Sequence, residues 1–152
     1  VETAVLFYKI EKEMVTAEDY VMWAYSMLEK GFSSPSLGIL ASFDKASNLF
    51  EVEGYFHKSC RELEIDTSPG YEVCARAYMR VLAEEIGKRE QPSEVYELAY
   101  EMFHIVRELD YPEDLMVWYD ISEKIDGVLY DPANSTIDSA GLVLLIKRTA
   151  KS

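Results

Sequence analysis

Histidine and cysteine are scarce in this chain of 152 residues, two of each, and basic side chains are outnumbered. Fifteen Lys and Arg stand against 28 Asp and Glu, a net charge of −13. The shortage of positive charge disfavours a nucleic-acid backbone as ligand, because phosphates are held by a basic face. An anionic membrane surface is disfavoured on the same ground. No window approaches the roughly 18 consecutive apolar residues of a membrane span. No signal peptide precedes the first charges, although the chain opens at Val1 and a trimmed leader stays open. Glycine motifs are absent too: there is no Gly-x-x-x-x-Gly-Lys loop or Gly-x-Gly-x-x-Gly turn to cradle a nucleotide, and no Gly-x-Ser-x-Gly elbow to carry a serine nucleophile. Cys60 and Cys74 both fall on apolar helical spacings. They read as reduced core thiols rather than a disulfide, which points to a cytoplasmic location.

What is present is a helical pattern. Apolar residues make up 49% of the chain, and the expected fold is all-α: one compact domain over residues 1–152, a bundle of about six to seven helices or a stack of helical hairpins. The stretch Ser33 to Ile65 organises the reading. Ser34 caps a helix with Pro35 at its first position, and Asn48 caps a second with Glu51 three residues on, a variant capping box. Val52, Tyr55, Phe56, Cys60 and Leu63 then recur at three- and four-residue intervals as one apolar stripe. Before this stretch, Ala4 to Tyr8 is an apolar run that reads as helix or strand, helix being favoured by the charges from Lys9 to Glu13. Thr16 caps the next helix, with Tyr20, Trp23, Ala24, Met27 and Leu28 inward and Gly31 as its stop.

After Ile65 the spacing predicts helices opening near Pro69, Pro92 and Pro112. Their inward residues are Tyr71, Cys74, Ala75, Tyr78, Leu82 and Ile86; then Val95, Leu98, Ala99, Met102, Val106 and Leu109; then Leu115, Trp118, Tyr119, Ile125 and Leu129. A last helix is expected to be capped by Ser135, with Asp138 three residues on. Its Leu142 to Ile146 segment is apolar all round, as in a central helix or a buried strand.

Ser34-Pro35-Ser36-Leu37, Leu40-Ala41, Asn48, Phe50 to Glu53, Tyr55-Phe56 and Glu62 to Ile65 together resemble a group of short bacterial all-helical proteins with no assigned activity. The segment Leu109 to Leu115 is similar to the same group. The resemblance covers about a third of the chain and consists of packing and capping residues. It implies a bacterial, helical, cytoplasmic protein and supplies no catalytic residue.

Three chemistries come into question. Glu101 and His104 form a Glu-x-x-His pair on a helix, one half of a di-iron motif, but Gly54 stands three residues before His57, so the second pair is missing and a surface contact is the better reading. A zinc site from His57, Cys60, Cys74 and His104 needs four ligands to converge without any Cys-x-x-Cys to fix two of them. The histidines show no local signature with a serine or cysteine. No catalytic residue, metal ligand or cofactor is therefore assigned, and the chain reads as not an enzyme.

Charge distribution is the one asymmetry with functional content. Between Ser93 and Asp131 there are eleven acids and two bases, Arg107 and Lys124, a net of −9. Glu94, Glu97, Glu101 and Glu108 share a helical face opposite Val95, Leu98, Met102 and Val106. Like charges at these spacings cost a few tenths of a kcal/mol per pair, so helix stability does not account for them. Tyr96, Tyr100 and Tyr111 are expected off the apolar stripes beside these acids. The reading is a non-catalytic protein-binding module whose acidic face, residues 94–126, docks a basic protein as immunity proteins and antitoxins do. Its binding residues are Glu94, Glu97, Tyr100, Glu101, Glu108, Asp110 and Tyr111. The plainer reading of the same charges is a solvated, solubilising face. The composition is also compatible with a helical adaptor or homo-oligomer subunit, and with a cryptic hydrolase or metal enzyme.

Overall fold

The structure is a computed structural model that describes residues 2–152. Among the described residues there are eight α-helices and no strand. These are α1 (Thr3–Glu11), α2 (Ala17–Glu29), α3 (Pro35–Ala41), α4 (Leu49–Glu62), α5 (Tyr71–Lys88), α6 (Pro92–Glu108), α7 (Val117–Tyr130) and α8 (Ser139–Ala150). Short 3-10 turns at Glu113–Leu115 and Pro132–Asn134 precede α7 and α8. The helix count exceeds the expected six to seven because every start–stop segment forms its own helix, the Ala4–Tyr8 run included. The chain falls into two compact units, one ending at Ala77 and the other beginning at Tyr78, within α5.

In the first unit the core is built by α1 to α4. Leu6, Tyr20, Trp23, Leu37, Leu40, Val52, Phe56 and Cys60 are all nearly or fully excluded from solvent. The Phe56 ring is its centre: the rings of Trp23, Tyr20 and Phe7 lie 4.9, 5.0 and 5.9 Å from it, tilted or edge-on as the ring quadrupole favours. Buried polar atoms are matched. Trp23 donates its indole N–H to Thr3 Oγ1 at 3.0 Å, and Tyr20 donates its hydroxyl to Glu53 at 3.3 Å. Leu28, expected inward, is 37% exposed because it lies beyond the arc of α2 that faces α3 and α4.

Helix α3 is too short to hold itself, since nucleation of one turn is unfavourable and seven residues add few bonds. Its N-terminus is held from outside. Ser34 accepts the N–H of Leu37, as its sequence predicts, and the Glu62 carboxylate accepts both the N–H and the hydroxyl of buried Ser36. Those two bonds hold the Glu62 carboxyl below its ordinary pKa. The complete reciprocal capping box is at Thr16 and Asp19, and Asp19 also binds Lys9 of α1 at 3.0 Å. Asn48 accepts the N–H of Glu51, as expected.

Four helices end alike. At the ends of α1, α2, α4 and α6 a left-handed residue is followed by an apolar one whose N–H returns to the last turn: Met14 to Lys9, Phe32 to Met27, Ile65 to Cys60 and Tyr111 to Val106. Only α2 uses glycine, Gly31 at φ +93°; the others place Glu13, Glu64 and Asp110 there.

The second unit packs α6 against both α7 and α8, and α7 against α8. Two partners widen the buried arc of α6 beyond one stripe. Ile105 joins Val95, Ala99, Met102 and Val106 inside, and Tyr96 is buried with its hydroxyl 2.7 Å from Ser139 Oγ, not on the solvent side as its spacing suggests. In α7, Trp118, Ile121 and Ile125 are buried, whereas Tyr119 and Leu129, expected inward, are exposed. Ser135 does not cap α8. It bonds Ile137 O within the loop, and Asp138 caps the helix through the N–H of Gly141 at 2.7 Å. The Leu142–Ile146 segment is helical but not central: Leu142 and Ile146 are buried and Leu144 is 57% exposed.

Phe56→Ala is expected to destabilise the first unit by about 3–5 kcal/mol, the usual cost of removing a buried aromatic ring. Chemical denaturation, with amide exchange followed in α2 and α4, measures it. The Glu62 clamp predicts a pH dependence. A carboxyl whose folded pKa is depressed contributes stability above its ordinary pKa and loses it as pH falls through the depressed value. Unfolding midpoints are therefore expected to fall as the pH is taken below the ordinary carboxylate range, and less steeply for Glu62→Gln.

Candidate functional site

The expected binding residues lie on α6 and the turn that follows it. Glu94, Glu97, Glu101 and Glu108 are all exposed on α6. Burial puts Val95, Ala99, Met102 and Val106 on the other side of the same helix, so the helical period sorts the two faces as expected. Tyr100 is half-buried and donates its hydroxyl to Asp126 of α7. Burial, and then the Asp126 carboxylate, push the Tyr100 phenol above its ordinary pKa. The bond ties the acidic face of α6 to α7.

Asp110 and Tyr111 both adopt left-handed backbone, at φ +61° and +56°. Consecutive left-handed residues other than glycine are costly and turn the chain sharply away from α6. Tyr111 is thereby set 43% exposed, with its ring edge-on to Tyr119 at 6.4 Å. Tyr119 in turn meets Phe103 at 5.7 Å. This row of Phe103, Tyr119 and Tyr111 borders the acids, and the apolar stripe of α7 conceals it by placing Tyr119 in the core. A signal for it exists in helical spacing: Tyr119 is next to Trp118, and both cannot point inward on one narrow stripe.

The basic residue of α6, Arg107, is turned to its neighbours on the same helix. Its guanidinium lies 5.7 Å from the Phe103 ring centre and 3.1 Å from His104 Nδ1. Within the face, partial desolvation and then the Glu97 charge raise the Glu101 carboxyl above its ordinary pKa, with His104 pulling the other way. The face is therefore a mild electrostatic liability to the fold.

The other candidate groups are scattered. His57, Cys60 and Cys74 belong to the first unit and His104 to the second. Cys60 is buried in the aromatic core, and burial pushes its thiol up to about 11; Cys74 is also raised by burial. Both thiols are protonated near neutral pH, which is the unreactive form. Among the described residues no three His, Cys, Asp or Glu side chains gather as a metal-binding group. Among the described residues no helix is long and apolar enough to cross a membrane. Comparison of the chain with protein-family models, curated proteins and solved structures found no match.

Glu101→Gln tests the liability. A raised carboxyl contributes stability below its ordinary pKa and loses it as pH rises through the raised value. The substitution is expected to raise stability by a few tenths of a kcal/mol at neutral pH, with the gain fading below about pH 4. Paired urea titrations at the two pH values read the difference.

Proposed function

We propose that the chain is a non-catalytic protein-binding module whose acidic helical face, within residues 94–126, docks a basic protein, in the manner of immunity proteins and antitoxins. The observation that carries this reading is the arrangement on α6. Four exposed glutamates lie along the helix, and its arginine is turned to Phe103 and His104 instead of to them. Like charges so placed do not stabilise a helix by contacts among themselves. Complementary charge speeds encounter and favours the correct partner, and tyrosines at the margin suit an interface with Lys and Arg. Tyr100, Asp110 and Tyr111 complete the face. Asp126 joins it, supporting Tyr100 through their hydrogen bond.

A second reading, a homo-oligomer subunit, is favoured by apolar exposure in the same unit: Tyr130 is 79%, Leu144 57% and Leu129 47% exposed. The two differ in their response to salt. Affinity capture from source lysate at about 50 mM and about 500 mM salt spans a roughly threefold change in screening length. A basic protein is expected at low salt. It should be lost at high salt, and lost when Glu94, Glu97, Glu101 and Glu108 are changed to Gln, but retained when Glu84, Glu85 and Glu90 are changed instead. Capture indifferent to the α6 changes would overturn the docking reading, and a salt-tolerant, concentration-dependent oligomer would favour the second.

A further inference from the structure

The first unit contains a cleft that neither the fold nor the acidic face of the second unit uses. Its volume is about 500 Å³, within the range of small-molecule sites. The walls are apolar: Phe7 and Ile10 come from one face of α1, Tyr71 from the start of α5, and Pro69 from the loop between α4 and α5. Three polar side chains also line it, Glu11, His57 and Thr67. A larger depression of about 740 Å³ beside Pro132–Ser139 is more open, and its lining is about equally polar and apolar.

The walls are held by packing outside the cleft. Phe7 is fixed edge-on against Phe56 in the core, and Tyr71 lies 6.0 Å from Tyr8. The buried Cys74, one turn into α5, lies at the cleft, and its thiol is kept protonated by burial, so the site presents a surface and not a nucleophile. The charged side chain in the lining sets the sign of the ligand. Lys12 does not line the cleft; its ammonium lies 5.9 and 5.2 Å from the centres of the Tyr8 and Tyr71 rings. Glu11 is the carboxylate that faces the cleft. An anion would meet that carboxylate within a chain of net charge −13. A cation is attracted by both.

We propose that the cleft between α1, α4 and the start of α5 is a binding site for a small organic amine. Its aromatic or branched-aliphatic body packs on Phe7, Ile10 and Tyr71, and its ammonium pairs with Glu11. The site is independent of the acidic face on α6, so either assignment can fail without the other.

The test uses the full chain and three probes of similar shape: 2-phenylethylamine, neutral 2-phenylethanol and anionic 3-phenylpropanoate. Each is titrated near pH 7.5 with amide chemical shifts as the readout. The amine is expected to bind with a Kd on the order of 1 mM, as befits a fragment. Shifts should centre on Phe7, Ile10, His57, Tyr71 and Cys74, and the alcohol and acid should bind more weakly. Glu11→Gln, an exposed change, should weaken the amine by about fivefold and leave the alcohol unaltered. Thr67→Trp, which fills the cleft from its lining, should block all three. If the alcohol or the acid binds as tightly as the amine, or Glu11→Gln leaves the amine unchanged, the amine assignment is overturned. If no probe shifts the cleft residues of the parent protein, the site itself is overturned, whatever the variants do.

Discussion

The first unit depends on one ring. Phe56 of α4 meets Phe7 of α1 and both Tyr20 and Trp23 of α2, so a single side chain brings three helices to a common point. Its burial is complete, and interiors packed to crystal density cannot absorb the loss of such a group by small shifts. The consequences reach past the core. Phe7 also lines the cleft, as does His57, the neighbour of Phe56 in sequence. The shape of that cleft is therefore set by the packing that stabilises the unit.

Helix ends do more here than helix propensity. A seven-residue helix persists because Ser34 and the Glu62 carboxylate satisfy its first amides. Four helices stop with the same geometry, in which an apolar residue after a left-handed one folds back over the last turn. Three of those left-handed positions hold glutamate or aspartate, where glycine would remove the steric penalty of the Cβ atom. At the end of α6 the turn has a second effect: two consecutive left-handed residues set Tyr111 beside Tyr119, at the edge of the acidic face.

The second unit opposes stability and charge. Eleven acids with two bases lie between Ser93 and Asp131, and partial desolvation, then the Glu97 charge, raise the Glu101 carboxyl among them. Arg107, the basic group on the same helix, is held against an aromatic ring and an imidazole. A surface tuned only for stability would interleave the two signs. A surface that meets positive charge in a partner has a use for the imbalance.

By itself the sequence determined the helical class, the caps at Thr16, Ser34 and Asn48, and the stripe Val52, Phe56, Cys60, because each depends on residues within one or two turns of each other. It also determined that Glu94, Glu97, Glu101 and Glu108 share a side of α6, since that follows from the helical period alone. The tertiary structure decided what local spacing cannot encode. Tyr96 is buried because α6 has two packing partners, and Tyr119 is exposed because α7 turns Trp118, Ile121 and Ile125 inward. Asp138 displaces Ser135 as a cap because a 3-10 turn at Pro132–Asn134 delays the start of α8. The stops at Glu13, Glu64 and Asp110 were illegible because they lack glycine and depend on an apolar residue folding back over the last turn. The cleft was illegible for the plainest reason: Phe7, His57 and Tyr71 are brought together by a fold, and nothing in their sequence spacing relates them.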